Sequence, residues 1–531
     1  MSAGPDKRLV LIACILGSAV VFLDGTVVNV ALPAIRAGLH GGLAAQQWVV
    51  EAYLLTLSSL LLVGGSLGDV LGRRRVFAAG LAAFGACSLL CAIAPSSAFL
   101  IGARAIQGIA GALLVPSTLA LIMDTFEEGE RATAIGSWTA WTGIATVVGP
   151  LGGGALIQVA SWRWIFAINL VPVAVTLYLL RALPADRPTG GHVDWPGAAL
   201  AALGLGGPVF ALIEQGRFGW GSPIVFIPLI GGIVLLIAFV LWERRAPEPM
   251  MPLGLFGSRN FTVGNLTTLL LYSGLSVATF FVVLFIQQVG GYTALQAGLA
   301  LLPITILVFA LSKRFGALAD RFGPRLFMGA GPVLAGLGLL LLGRMTASAD
   351  YVSAVLPGIL VFGLGLAMTV APLTATVLGA VEPGHSGVAS GINNAVARVA
   401  GLLAIAALGA VVTASFQSRL DHDLAGRPLS PQAQAAVANA RTRPLVIDAS
   451  GVSGPARQVV HTALIDASVE SFRVAMLIGA GLALVGGVFA LGGIQNPRRR
   501  VACADCPGGA LAGASSDLAL RPELSSGQPA A

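Results

Sequence analysis

GALADRFGPR, residues 316–325, is a charged, glycine-bearing stretch between two apolar runs, and GSLGDVLGRR, residues 65–74, is an imperfect copy of it. The two share Gly65/Gly316, Leu67/Leu318, Asp69/Asp320, Gly72/Gly323 and Arg74/Arg325. The chain around them has 531 residues, 56% hydrophobic and 10% charged, with a mean hydropathy of +0.86. Soluble domains carry about 25% charged residues, so this composition describes an integral membrane protein. A polar phrase written twice in such a chain marks a duplicated loop.

A bilayer crossing takes about 20 apolar residues. Windows of that kind predict fourteen spans, near 9–31, 47–67, 76–94, 98–123, 132–157, 164–183, 196–214, 223–242, 260–287, 294–313, 326–345, 353–379, 387–413 and 472–493. They are too long for barrel strands, so the expected fold is all-α and polytopic. The first span follows Lys7 and Arg8 like a signal peptide, but it holds Asp24 and many spans follow, so it reads as a retained helix. With the N-terminus inside, the cytoplasmic segments hold 18 basic residues and the short outer loops only Arg36, Arg163, Arg217 and Arg344. The positive-inside rule then puts both termini in the cytoplasm. The net charge of +7 is therefore topological, and a nucleic-acid partner is not expected.

Both decapeptides fall in cytoplasmic loops, after the second and tenth spans. Loops repeated in equivalent places imply two parallel halves, a known transporter design. Six spans per half give a bundle over 9–183 and another over 260–493, with 196–242 left as a two-helix insert. The outer loop 414–471 offers Ser430 as a helix cap before Pro431 and a second short helix after Gly454-Pro455. It reads either as a solvated spacer or as a cap that shapes the substrate path. The tail 494–531 is rich in Gly, Ala, Ser and Pro and is expected to be disordered and cytoplasmic. Its CADC holds Cys503 and Cys506, but one CxxC without a second pair or a nearby His is weak evidence for a metal, and none is expected. Cys14, Cys87 and Cys91 lie in spans and read as packing residues.

Further motifs accompany the loops: LDGTVVNVALP at 23–33, LIGARAIQGIAGA at 100–112, GIATVVGPLGG at 143–153 and SWRWIFAINLVPV at 161–173. Together, in order and in the expected spans, they make the chain resemble the major facilitator superfamily, in its fourteen-helix drug–proton antiporter type (the EmrB/QacA group). The resemblance covers nearly the whole chain except the tail. It implies a secondary exporter with no cofactor beyond the coupling proton, working as a monomer in a bacterial plasma membrane. Asp24 and Arg104 fall at the acid and the arginine that matter in that family, and Arg398 at another usual position. The glycine-proline motif Gly149, Pro150, Gly152 and Gly153 is one that exporters of the superfamily carry.

The residues also have a physical reading. Gly65 and Gly72 would permit a tight turn, Asp69 would accept backbone N–H groups at a helix start, and Arg73 and Arg74 would pair with carboxylates. Such a cluster can latch two helices in one state and release them in another. The second copy, with Gly316, Asp320, Gly323 and Arg325, has Pro324 in place of the first arginine and is the weaker latch. Small residues in GPLGG allow close helix approach, and Pro150 would bend its helix. Ionisable residues inside spans are costly and mark function. At about 1.5 Å per residue, Asp24, Glu51 and Arg104 sit at one depth, roughly 21–24 Å from the cytoplasmic side, a setting for proton exchange or for binding a cation. Glu51 stands where the resemblance leads one to expect a small or hydroxyl residue. Arg398 would be mid-membrane, and Glu214, near the outer end of its span, would be hydrated.

The expected function is export of hydrophobic or cationic drugs by proton antiport. No GxxxxGK[ST] phosphate loop is present to make ATP the direct fuel. A transporter of one metabolite remains as the alternative. Less favoured is a multi-span enzyme or sensor, since the five His residues are scattered and no signalling domain is recognisable.

Overall fold

A computed structural model describes residues 7–181, 192–247, 249–382, 386–449 and 452–496. Cys503, Cys506 and the tail beyond residue 496 lie outside the described residues. Among those described, every regular element is helical. The first group is α1 (Lys7–Leu39), α2 (Leu43–Leu71), α3 (Arg73–Ala92), α4 (Ser97–Thr125), α5 (Glu128–Val159), α6 (Trp164–Ala167) and α7 (Leu170–Arg181). The insert is α8 (Trp195–Phe218) and α9 (Pro223–Glu243). The last group is α10 (Arg259–Val277), α11 (Val283–Gln288), α12 (Ala294–Phe322), α13 (Pro324–Leu342), α14 (Leu356–Gly379), α15 (Ser386–Leu424), α16 (Pro431–Ala440) and α17 (Pro455–Gly493). Single π turns, Ala278–Val282 and Tyr351–Val355, join α10 to α11 and lead into α14.

Twelve of the described helices are long and apolar enough to cross a membrane, and α2 makes a thirteenth although it bends by 53° between Leu61 and Val63. The bend lies beside Gly64-Gly65-Ser66, a small-residue run of the kind at which long helices kink. The fourteenth expected span is the apolar stretch Trp164–Leu180, shorter than the rest and broken between α6 and α7. Helix starts follow the sequence chemistry: Ser96 caps α4, Asp194 caps α8, and Thr293 with Gln296 forms a capping box on α12.

The decapeptides are structurally equivalent. Gly72 is the lone residue between α2 and α3 (φ 100°, ψ 127°), and Gly323 the lone residue between α12 and α13 (φ 91°, ψ 147°). Each donates its N–H to the carbonyl four residues back, Gly68 at 3.0 Å and Ala319 at 2.7 Å. Positive φ is open to glycine at little steric cost. Gly65 is not a turn residue, contrary to expectation, and neither is Gly316. Both are helical, and a Cβ on either would lie 3.6 Å from the neighbouring helix, at Pro116 and Ala371 respectively.

The packing scheme is repeated as well. In the first group α1 packs on α5, α7 and α4, α2 on α4, and α3 on α4 and α7; in the last, α10 packs on α15, α17 and α14, α12 on α14, and α13 on α14 and α17. The first and last groups are thus two helix bundles with one contact pattern. Within the insert, α9 packs on α8, which lies against α2 and α15, one helix from each bundle. Apolar side chains such as Ile227, Val234 and Ile237 cover the free face of α9, as a lipid-facing helix requires.

The bundles meet through α5 against α12 and α2 against α15. The named contacts of these seams lie towards the end opposite the decapeptides: Gln47 Nε2 donates to the Ile405 carbonyl (2.8 Å), Gln287 Nε2 to the Val30 carbonyl (3.1 Å), and Gly154 abuts Leu295. At that end α15 and α17, each 39 residues long, run past their spans and, with α16, enclose a small core of Phe416, Leu420, Val437, Val460 and Leu464. Ser430 caps α16 as expected (Ala433 N–H to Oγ, 3.2 Å). The helix after Gly454-Pro455 is not a separate short one but the start of α17. Replacing Gly72 or Gly323 by alanine would force a Cβ into positive φ, so each variant should lose about 1–2 kcal/mol of stability, read as a lowered thermal midpoint in detergent. An unchanged midpoint would show that the turn relaxes.

Candidate functional site

Among the described residues, the apolar interior of the first bundle contains a charged cluster. Asp24 is on α1 and Arg104 on α4, and both are sequestered, at 0% and 1% exposure. Their ion pair joins Arg104 Nη1 to Asp24 Oδ2. Nη1 also reaches Gln107 Oε1 at 2.8 Å, and Arg104 Nε donates to the Val49 carbonyl of α2 at 3.1 Å. The guanidinium lies 4.1 Å from the centroid of the Tyr53 ring, a favourable stacking position for a cation. The other carboxylate oxygen of Asp24 accepts from Asn169 Nδ2 (3.0 Å) and Gln107 Nε2 (3.2 Å), and both amides also donate to Ser88 Oγ of α3. A buried ion pair persists when its remaining hydrogen-bonding positions are filled, and here amides and carbonyls fill them.

Two of these partners escaped the sequence analysis. Asn169 lies in the quoted SWRWIFAINLVPV, and Gln107 in LIGARAIQGIAGA, one turn after Arg104. A buried amide in a span was the available signal. Asn169 also accounts for the short fourteenth span, because the break between α6 and α7 presents its amide to Asp24.

Glu51 does not join this cluster. It is on α2, yet Val49 and Tyr53, on the face turned to Arg104, lie two residues to either side. Glu51 is one turn from Gln47, which faces α15. Its side chain is fully buried, and among the described residues neither carboxylate oxygen has a hydrogen-bond partner. Co-depth therefore did not mean contact, since residues two apart on a helix point to opposite faces. Arg398, on α15, has no hydrogen bond or ion pair among the described residues, but it lies within Coulombic reach of the Tyr53 hydroxyl, as do Asp24 and Arg104. Glu214 accepts from Trp48 Nε1 at 2.9 Å, tying α8 to α2. Cys14, Cys87 and Cys91 are buried and free, and among the described residues no group of His, Cys, Asp or Glu could hold a metal.

In the first decapeptide Arg73 is the hub. Its Nε and Nη2 donate to Asp69 Oδ1 at 3.1 and 2.9 Å, and its Nη1 to Asp124 Oδ1 of α4 at 2.5 Å. Asp69 lies in the last turn of α2, not at a helix start, four residues before Arg73, and accepts from its guanidinium. Arg74 is the next residue of α3. In the second copy the hub position is Pro324, the first residue of α13; Asp320 is exposed, and Arg325 Nε donates to the Leu491 carbonyl of α17.

The glycine-proline motif lies at a seam. Gly149 faces α1, where a Cβ would lie 2.6 Å from Thr26 Oγ1, and Gly153 abuts Val27. The Pro150 carbonyl faces α12, so close that a Cβ on Gly298 would lie 2.6 Å from it, and Gly154, missed from the sequence, backs onto Leu295. Gly152 touches no other helix at its Cβ position within 4 Å. The helix continues unbroken through Pro150. The motif is thus a thin wall between α1 and the other bundle.

Residues 14–405 match the family described as Major Facilitator Superfamily. The chain belongs to the major facilitator superfamily. Among curated superfamily relatives it is 36% identical over 428 residues to the puromycin resistance protein pur8 of Streptomyces alboniger, covering 79% of this chain and 85% of that one. It is 34% identical over 496 residues to the multidrug resistance protein Stp of Mycobacterium tuberculosis, covering 90% of each. It is 36% identical over 425 residues to the cephamycin export protein CmcT of Amycolatopsis lactamdurans, covering 78% and 86%. The fold matches that of a bacterial homologue of the human lysosomal transporter Spinster, with a TM-score of 0.63 at 16% identity over 93% of this chain and all of that one.

Asn169→Leu keeps the bulk and removes both donors. Leaving buried acceptors unpaired costs about 1–3 kcal/mol, so this variant should lower the thermal midpoint and cut transport about tenfold, whereas Asn169→Ser should retain more of both. Full transport by Asn169→Leu would remove the amide from the site.

Proposed function

We propose that the protein is a secondary active exporter of hydrophobic or cationic antibiotic-like compounds, driven by inward proton flow. It acts as a monomer in a bacterial plasma membrane, with both termini cytoplasmic, and needs no cofactor beyond the coupling proton. It works as a transporter and not as an enzyme. Resistance and export names among relatives that share most of the chain support the substrate class. The bundles 9–183 and 260–493 would rock about the seams, with 196–242 as the inserted pair.

The observation that carries this reading is the sequestered Asp24–Arg104 pair with its amide shell. An ionisable pair at that depth is costly, and Asp24 is a carboxylate of the bundle interior that a proton would neutralise. Protonating Asp24 would weaken its hold on Arg104, freeing a cation beside Tyr53 and Arg398 at the junction of the bundles. Substrate and proton then compete for one electrostatic arrangement. The seams close the end opposite the decapeptides, so in this orientation the outer end is shut. The Asp69–Arg73–Asp124 cluster, at the cytoplasmic end, fastens α2 and α3 to α4 and releases them as the bundles move.

Two measurements test the reading. In proteoliposomes, Asp24→Asn should abolish drug-dependent proton movement while the protein still binds drug; full coupling in this variant would reject Asp24 as the carrier. Expressed in a drug-sensitive bacterium, the native chain should raise tolerance to several compounds and Arg73→Ala should lower that gain several-fold. No shift across a broad panel, with the protein in the membrane, would reject export of drugs.

A further inference from the structure

Among the described residues only two non-glycine residues have positive φ, His40 at 55° and Leu445 at 65°. They are far apart in sequence but lie in segments that touch. His40 opens the connection between α1 and α2, and two residues later Gly42 faces the cap segment that follows α16. A Cβ on Gly42 would lie 2.7 Å from the Thr442 carbonyl oxygen and 4.0 Å from Arg443 Cγ, so the two segments press backbone on backbone. Arg36 of α1 lies within Coulombic reach of Arg443 and Asp448.

Leu445 makes this contact unusual. A bulky side chain at positive φ is a genuine outlier, and strained backbone persists only where its surroundings impose it. The surroundings here are not the cap's own core. Leu445 is fully buried and belongs to the apolar core that holds Ile35, Leu43 and Leu100 of the first bundle with Phe285 and Leu408 of the second. The cap therefore inserts one strained leucine into the end of the molecule at which the bundles meet. His40, two residues before Gly42, is exposed, so its backbone conformation is not held by burial of its own side chain.

We propose that the turn His40–Gly42 and the cap segment Thr442–Asp448 form a strained clasp that holds the outer end closed. Leu445 is its plug, and the two positive-φ residues keep it weak enough to open in each cycle. The inference rests on the alternating-access reading above, in which the cap lies outside. It differs from that reading in placing control of outer opening in the loop between α15 and α17 and not in the spans alone.

The test reads opening without any drug. Leu295, which meets Gly154 at the α5–α12 seam, is replaced by cysteine in a chain whose five native cysteines are alanine, and labelling by a membrane-impermeant maleimide added outside cells is timed. Leu445→Ala removes the plug and should speed labelling about fivefold. His40→Gly relaxes the closed backbone while leaving the plug in place, and should slow labelling by a similar factor. Because the two variants are expected to move the rate in opposite directions, misfolding cannot imitate the pair. Labelling at the native rate in both variants, with the native thermal midpoint, would overturn the clasp. Drug tolerance measured in the same cells reports separately on export, so loss of either reading is distinguishable from loss of the other.

Discussion

The first bundle depends on one buried charge pair. Asp24 and Arg104 could not remain ionised in an apolar interior without partners, and supplying those partners recruits α1, α2, α3, α4 and the break between α6 and α7. The carbonyl of Val49, the hydroxyl of Ser88 and the amides of Gln107 and Asn169 all take part of the load. Helix positions in this bundle are consequently fixed by polar geometry as well as by packing. The second bundle solves the equivalent problem with neutral groups: Asn393 donates to Asn265 and Thr268 between α15 and α10. Two bundles with one packing scheme thus carry different electrostatics.

Much of this was legible in the chain. The duplicated decapeptide pointed to two loops of one geometry and two groups of helices with one packing scheme, because spacing and hydropathy are properties of the linear sequence. The acid of α1 and the arginine of α4 were found as a pair because both were forced to one depth. Depth says nothing of azimuth, however, which is why Glu51 was grouped with them and turned out to face another way. Gly65 misled for a related reason: it is a thin point in a helix wall, beside Pro116 of α4, and not the turn residue that Gly72 is. The short span at Trp164–Leu180 shows the limit of hydropathy, since a break that delivers one amide to a distant carboxylate leaves no mark on an average.

The seams are built from what is missing in the side chains. Gly154 and Gly298, with the Pro150 carbonyl between them, bring α5 and α12 to backbone contact, a packing available to small residues in lipid where burial itself supplies little drive between helices. In the first decapeptide the opposite device operates, with Arg73 reaching two carboxylates on two helices. Close packing holds one end of the molecule and charge the other, and the two respond to different stimuli. Pro324 shows that the duplication has not preserved this division in both halves: the second loop keeps the turn and has lost the hub.

The continuous length of α15 and α17 has a mechanical consequence. At about 1.5 Å per residue, a helix of 39 residues is a rod of roughly 58 Å, nearly twice the apolar thickness it must cross. Neither is broken where it leaves the span, so the cap is a lever arm rigidly geared to the second bundle. A rocking of about 10° at mid-membrane would sweep its tip, roughly 40 Å away, through about 7 Å, more than the pitch of one helical turn. Angular motion too small to separate packed spans becomes, at that radius, a displacement large enough to engage or clear a single side chain.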